Sequence, residues 1–390
     1  MSPAEDPASL TRAGLQALQR GDPAAARASF LRATSSPAAG ADAWFGMSLA
    51  HRALGALQDE QAALKRTLEL APRHVPALIR KGDIYSAKAD MRAANSFYRS
   101  ALKVAGGMRS VPAEWRGDLT RIGALVRRNM QSLQRHLLSD LERTGRGADN
   151  PRFAQAIDLL LGRREIYFQQ PKVFYYPELP QIQFYDRAAF RWVEALERDT
   201  PAIRSELLQL LQSDDRFAPY MQPHCDRPVF DNNGLLNDPA WSACHLIRNG
   251  EEVAKMAAQF PAIFGALRRL PLCRIRGRTP TALFSLLRPG AHIPPHHGYL
   301  NTRLICHLPL IVPGACTLRV GNETREWREG ELLIFDDTIE HEAWNRSGEP
   351  RVVLLFDIWR PELSDAERAL IAATLESVDR FGGAAEEWTQ

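Results

Sequence analysis

Residues 291–307 read AHIPPHHGYLNTRLICH and hold four of the chain's ten histidines, His292, His296, His297 and His307, with two prolines and a glycine among them. A histidine in such a stretch is a metal ligand, a proton shuttle or a polar surface residue. The second half of the stretch settles its local structure. Arg303, Ile305 and His307 alternate with Leu304, Cys306 and Leu308, a period of two that puts a cation, an aliphatic residue and an imidazole on one strand face and an apolar set on the other. The apolar face packs against a neighbouring layer. The mixed face is then the wall of a cavity, where polar groups are costly unless a ligand satisfies them.

Working outward, the segments TALFSLLR (281–288), TRLICHLPLIV (302–312), CTLRVG (316–321), ETREW (323–327), ELLIFDD (331–337), EHEAWN (340–345) and RVVLLFDIW (351–359) are short, β-branched or aromatic, and separated by Gly, Pro and Asn turns. Such a run of short strands predicts a small double-sheet jelly roll of the cupin kind, which encloses a ligand cavity. Asn345–Pro350 is turn material. It predicts a hairpin between the last two segments, with His341 and Arg351 nearly opposite and their Cβ atoms ~5 Å apart. An imidazole beside a guanidinium makes chemical sense if one holds a metal and the other grips a carboxylate of that metal's ligand.

The first hundred residues follow a different rule. Gly14, Ser48 and Gly82 recur at a spacing of 34, as do Ala26, Glu60 and Ala94, then Phe30, Leu64 and Tyr98, then Ala33, Thr67 and Ala101. Paired amphipathic helices with small residues at their crossings and an aromatic in the groove resemble the tetratricopeptide repeat, and Pro72 fits a helix stop. Such repeats stack into a curved surface that holds a protein or peptide partner. The reading divides the chain into repeats over 1–107, a helical cap and linker over 108–165, and a catalytic domain over 166–390 with a C-terminal helix. An aromatic and proline-rich arm, YFQQPKVFYYPELPQIQFYD (167–186), cannot be a regular helix and should pack across the core in extended form.

Composition excludes several classes. The chain has 390 residues and a formal net charge of +3 with both signs mixed, which leaves no electrostatic footprint for nucleic acid. No apolar run approaches the ~20 residues that span a bilayer, and the N-terminal stretch lacks the pattern of a signal peptide. Five dispersed cysteines, Cys225, Cys244, Cys273, Cys306 and Cys316, fit small buried residues in a reducing cytoplasm.

The motifs PGAHIPPHHGYLNTRLICHLPLIVP (289–313), GELLIFDDTIEHEAWN (330–345) and RVVLLFDIWRPEL (351–363) closely resemble the aspartyl/asparaginyl β-hydroxylase family of iron(II)- and 2-oxoglutarate-dependent oxygenases. With the repeats in front, the architecture is similar to the members of that family that carry tetratricopeptide repeats. The resemblance implies that His296 and His341 bind Fe(II), and that Ser285, His307 and Arg351 hold 2-oxoglutarate, with Trp241 at the edge of the same pocket. Arg351 would pair with the distal carboxylate and Ser285 would donate a hydroxyl, while His307 would sit nearer the end that chelates iron. The Pro-His-x-Gly pattern selects His296 over His297. Where most such enzymes have a third, carboxylate ligand, this chain has Gly298, an absence the family shares. Asp336, Asp337 and Glu340 read as turn and strand-end residues. Family members that hydroxylate Asp or Asn carry a second Arg at the position of Ile305; its replacement counts against recognition of an acidic residue, although Arg303, on the same face two residues away, could partly substitute.

The expected function is therefore hydroxylation of a C–H bond in a peptidyl or other soluble substrate, using O2 and releasing succinate and CO2. The alternatives are a repeat-based adaptor with a non-catalytic barrel, and a hydroxylase of a lipid or small molecule. His292 reads as a loop residue and His297 as rim or solvent-facing; His51, His74 and His136 read as helix-surface residues, and His224 and His245 have no assigned role.

Overall fold

The computed structural model describes residues 6–143, 150–212, 216–222 and 234–382; His224 and Cys225 lie outside them. It divides into two compact units, Met1–Leu161 and Gly162–Gln390.

The N-terminal unit begins with three helix pairs: α1 (Pro7–Gln19) with α2 (Pro23–Thr34), α3 (Ala41–Ala53) with α4 (Leu57–Leu70), and α5 (Val75–Ala87) with α6 (Met91–Gly106). Asp6, Asp22 and Asp90 cap α1, α2 and α6 through side-chain oxygens that accept backbone amides. The 34-residue pattern is the packing pattern. Phe30 sits on Gly14 and Tyr98 on Gly82 so closely that a Cβ at either glycine would lie 2.7 Å or 2.4 Å from the ring. Glu60, which breaks the small-residue pattern, is buried, and its carboxylate takes both Nε and Nη2 of Arg80 from the following helix. His74 is not a surface residue; it caps α5, its Nδ1 accepting the Ala77 amide at 3.2 Å. α7 (Arg116–Arg143) packs Ile122 against Tyr98 and Ala101, and α8 (Pro151–Leu160) ends the unit. No described helix is long and apolar enough to cross a membrane.

The C-terminal unit opens with the arm and then forms β1 (Phe184–Tyr185), α9 (Val193–Arg198), α10 (Thr200–Gln212), β2 (Ala218–Pro219), β3 (Trp241–Arg248), β4 (Glu251–Glu252), α11 (Ala254–Gln259) and α12 (Pro261–Leu267). There follow β5 (Ala282–Leu287), β6 (His292–His296), β7 (Arg303–Ile311), β8 (Cys316–Val320), β9 (Glu323–Glu326), β10 (Leu333–Phe335), β11 (His341–Asn345), β12 (Arg351–Trp359) and α13 (Asp365–Gly382). One antiparallel sheet runs β1-β10-β7-β12-β5-β3-β2, with β4 beside β3; a second runs β6-β11-β8-β9.

Alternation along β7 and β12 assigns the layers. Leu304, Cys306, Leu308, Val352, Leu354 and Phe356 face the helices, packing with Ile203, Leu207 and Phe264. Ile305, Val353 and Leu355 face the second sheet and meet Ile293, Leu318 and Ala343. The space between the two sheets holds the site.

The structure corrects one local expectation. β11 and β12 do not form a hairpin: β11 pairs with β6 and β8, and β12 with β5 and β7. The intervening turn carries the chain from one sheet to the other. Asn345 holds that corner, donating from Nδ2 to the carbonyls of Leu287 and Glu349 at 2.9 and 2.8 Å, while its Oδ1 accepts the Ser347 amide and hydroxyl.

Candidate active site

His296 closes β6, His341 opens β11, and the ladder pairs the two directly. Their ring centroids are 4.0 Å apart and the rings are inclined at 50°. In each ring Nδ1 faces the carbonyl two residues earlier, Pro294 at 2.8 Å for His296 and Ile339 at 3.1 Å for His341. A carbonyl oxygen only accepts, so both rings carry their proton on Nδ1 and keep the Nε2 lone pair. Burial holds His296 down at about 4 and His341 well below the usual range, the latter helped by the neighbouring His296. Two neutral imidazoles in one tautomer, each oriented by a carbonyl, are in the form that ligates a divalent metal. Among the described residues, no group of three or more His, Cys, Asp or Glu side chains comes together as a metal site. Among the described residues, these two imidazoles are the ligands a metal here would find.

Arg351 enters from the other sheet, at the start of β12. Its side chain is 1% exposed and its guanidinium lies 4.7 Å over the Trp327 ring. Nη1 makes a long hydrogen bond to the Ser285 carbonyl at 3.4 Å, and Nε has no partner among the described residues. Burial lowers its pKa to about 10. Other buried arginines of this unit have carboxylates: Arg303 has Asp357 and Asp337, Arg360 has Asp336, and Arg278 has Asp379. A desolvated cation without a counter-ion costs several kcal/mol, so the surroundings of Arg351 suit an anionic ligand.

The remaining candidates gather round this pair of features. Ser285 on β5 accepts the Trp241 indole N–H at 3.2 Å, and Trp241 stacks on Tyr220 with centroids 4.0 Å apart. His307 on β7 meets Phe335 edge-on at 5.0 Å, and its buried Nδ1 has no partner among the described residues. Burial first, and Arg351 second, keep it well below the usual imidazole range and therefore neutral. Together with Ile293, Ile305, Leu318, Ala343 and Leu355 these groups line a cavity of about 50 Å³, room for an ion and a water molecule.

Arg303 departs from the expected contact with 2-oxoglutarate. It is not among the cavity-lining residues; Nη1 donates to Asp357 at 2.7 Å and Nη2 to Asp337 at 3.4 Å. The strand alternation has the correct face, but two buried carboxylates hold the guanidinium. One of them, Asp337, does line the cavity, and its Oδ1 has no partner among the described residues. Burial pushes its carboxyl up to about 7 against the opposing pull of Arg303. A Cβ on Gly298 would lie 2.0 Å from Asp337 Oδ2. The carboxylate thus fills the space that a side chain at 298 would take, which explains why glycine stands there.

Sequence reasoning reads Asp337 as a strand-end residue and gives Tyr220, Tyr299 and Trp327 no role. Nothing in the sequence links Gly298 to a residue 39 positions later, whereas the repeated Asp after a strand was a usable signal. His297 lines the cavity rim. His292 lies outside it, paired with Glu342 at 2.9 Å and stacked on Trp344. His245 lies on β3, away from the cavity lining.

Residues 197–361 match the family model described as aspartyl/asparaginyl beta-hydroxylase. An ornithine lipid ester-linked acyl 2-hydroxylase of Rhizobium tropici is 36% identical over 194 residues, 49% of this chain and 65% of that protein. The human aspartate beta-hydroxylase domain-containing protein 2 is 33% identical over 204 residues, 51% of this chain and 53% of the relative. Human aspartyl/asparaginyl beta-hydroxylase is 33% identical over 185 residues, 46% of this chain and 23% of its own length. The matched region spans less than two thirds of each relative. Among solved structures, the Arabidopsis OM64 TPR domain aligns with 32% of this chain and 98% of its own, at 15% identity and a TM-score of 0.28. The motifs around both histidines fall inside residues 197–361, the stretch of this chain that is similar to the aspartyl/asparaginyl beta-hydroxylase family model.

Proposed function

We propose that the C-terminal unit is an iron(II)- and 2-oxoglutarate-dependent hydroxylase, with its paired sheets forming a jelly roll around the site. The observation that carries this reading is a buried guanidinium with no counter-ion among the described residues, in the same cavity as two neutral imidazoles that present Nε2. His296 and His341 would hold the metal. Arg351 would pair with the distal carboxylate of the cosubstrate, and the Ser285 hydroxyl, which accepts from Trp241, still has its own proton to donate to that carboxylate. His307, neutral and with a free Nδ1, would face the other end of the cosubstrate. Bound there, iron(II) with 2-oxoglutarate supplies oxidation of an unactivated C–H bond by O2, with release of succinate and CO2. The protein's contribution is to fix the ligands, capture the dicarboxylate and exclude water.

The substrate reading follows from the cavity wall. Ile293, Ile305, Leu318 and Leu355 line it, and Arg303 is already paired with Asp357 and Asp337. An aliphatic carbon suits this wall better than an acidic side chain, which would need a free cation. That favours an acyl or other apolar target, in line with the acyl 2-hydroxylase relative, over Asp or Asn. The repeats would hold a protein or peptide partner. A non-catalytic adaptor is disfavoured, since an idle barrel gains nothing from burying an uncompensated arginine.

The test is succinate formation by the purified chain supplied with 2-oxoglutarate, iron(II) and ascorbate. His296→Ala and His341→Ala are expected to abolish it; undiminished turnover in both would rule out the assignment.

A further inference from the structure

The ladder that pairs His296 with His341 is weak where it matters most. Pro294 and Pro295 precede His296 and have no amide to donate, and the register slips between His341 and Ala343. A second set of bonds crosses the same place, and it comes from the arm. The Gly298 amide donates to the Asp337 carbonyl at 2.7 Å, tying the two histidine-bearing segments to each other. The Lys172 amide donates to the Gly298 carbonyl at 2.9 Å, and the Gln170 amide to the Thr338 carbonyl at 2.8 Å. Residues 170 and 172 therefore reach one segment each, with the two-residue spacing of a strand.

Gln169 anchors this contact from below. Its side chain is 6% exposed. Nε2 donates to Asp336 Oδ2 at 2.6 Å and to the Pro180 carbonyl at 3.0 Å, and Oε1 accepts from Asn301 at 2.9 Å. The same Asp336 carboxylate accepts from Arg360 at 2.9 Å and from the Thr338 amide and hydroxyl at 3.0 and 2.6 Å. Asp336 is thereby locked, and the Ile339 amide donates to its carbonyl at 3.3 Å. Ile339 in turn supplies the carbonyl that orients His341. An unbroken series of hydrogen bonds runs from the arm to the imidazole.

We propose that Gln169, with the backbone amides of Gln170 and Lys172, positions the His296 and His341 segments for metal binding, so that the arm forms part of the metal site's support. Gln169 is a positioning residue and acts through Asp336, Thr338 and Ile339. The inference rests on the reading that His296 and His341 hold the metal. Loss of such outer partners typically weakens metal binding about 10- to 100-fold.

The experiment titrates Mn(II) alone into the full chain, free of other metals, and reads the dissociation constant by the loss of the free-ion EPR signal, with thermal unfolding followed alongside. Gln169→Met keeps the side-chain volume and removes the amide; Lys172→Pro removes one backbone donor. Both should weaken Mn(II) binding about tenfold or more. Ile203→Ala cuts into the core under β7, away from the arm, and should lower the unfolding temperature with Mn(II) affinity unchanged. Wild-type affinity in a folded arm variant overturns the proposal, as does an equal loss in Ile203→Ala. Absence of Mn(II) binding by the wild-type chain, by contrast, overturns the metal-site reading itself.

Discussion

At the scale of single residues, the site is defined by what its polar atoms lack. Among the described residues, Nε2 of the two histidines has no hydrogen bond and Arg351 has no carboxylate partner, whereas nearby Arg303 and Arg360 are paired with carboxylates. Legibility in the sequence follows that line. Alternation in Arg303–Leu308 places Ile305 and His307 on the cavity wall, because a period of two is a local property of the chain. It also places Arg303 on the correct face, but it is silent on Asp357 and Asp337, whose claim on the guanidinium depends on strands far away in sequence. The buried histidines have a consequence for pH. His296 titrates near 4 in the folded chain and about 6.5 when unfolded, so between those values the unfolded state binds more protons. Stability is full above about 6.5 and is lost as the pH falls toward 4. The urea midpoint of the metal-free chain is therefore expected to be lower at pH 5 than at pH 7, with a smaller drop in His296→Gln. An identical drop in the two proteins would show that His296 is not held neutral.

At the scale of elements, the same turn sequence permits two outcomes. Asn345–Pro350 suits a hairpin equally well, and the outcome is set by the Asn345 side chain bonding the Leu287 carbonyl, 58 residues away. That bond sends β12 to the other sheet, and with it Arg351. β3 escapes the sequence reading because most of its residues are buried on both faces and it stands apart from the regular run of strands, although it carries Trp241 to Ser285. The helical repeats are more legible, since most of their contacts join helices adjacent in sequence. Their one irregular position, Glu60, is accounted for by Arg80 on the next helix. Removing Arg80 would leave a carboxylate buried at 2% exposure, so Arg80→Ala should destabilise the N-terminal unit by roughly 3 kcal/mol. The double variant Glu60→Ala/Arg80→Leu, which restores the small residue of the other two repeats, should recover much of that loss. Thermal unfolding checks both, and equal destabilisation by the single and double variants would argue against the pair.

At the scale of the whole molecule, each sheet of the C-terminal unit supplies half of the chemistry. The smaller sheet brings both imidazoles, the larger brings Arg351, Ser285 and His307, and the site exists only where the two face each other. Sheet pairing of this kind is a long-range outcome, so the sequence shows the components before it shows the cavity. The proposed chemistry requires the cavity to bind a metal through the histidine pair and a dicarboxylate through Arg351, each aiding the other. Calorimetric titration of 2-oxoglutarate into the chain, with and without Mn(II), tests this most directly. Binding is expected to need the metal and to weaken roughly 30-fold or more in Arg351→Met, the cost of about 2 kcal/mol or above for losing one partner of a buried charge pair. Binding of equal strength without metal, or unchanged by Arg351→Met, would contradict it.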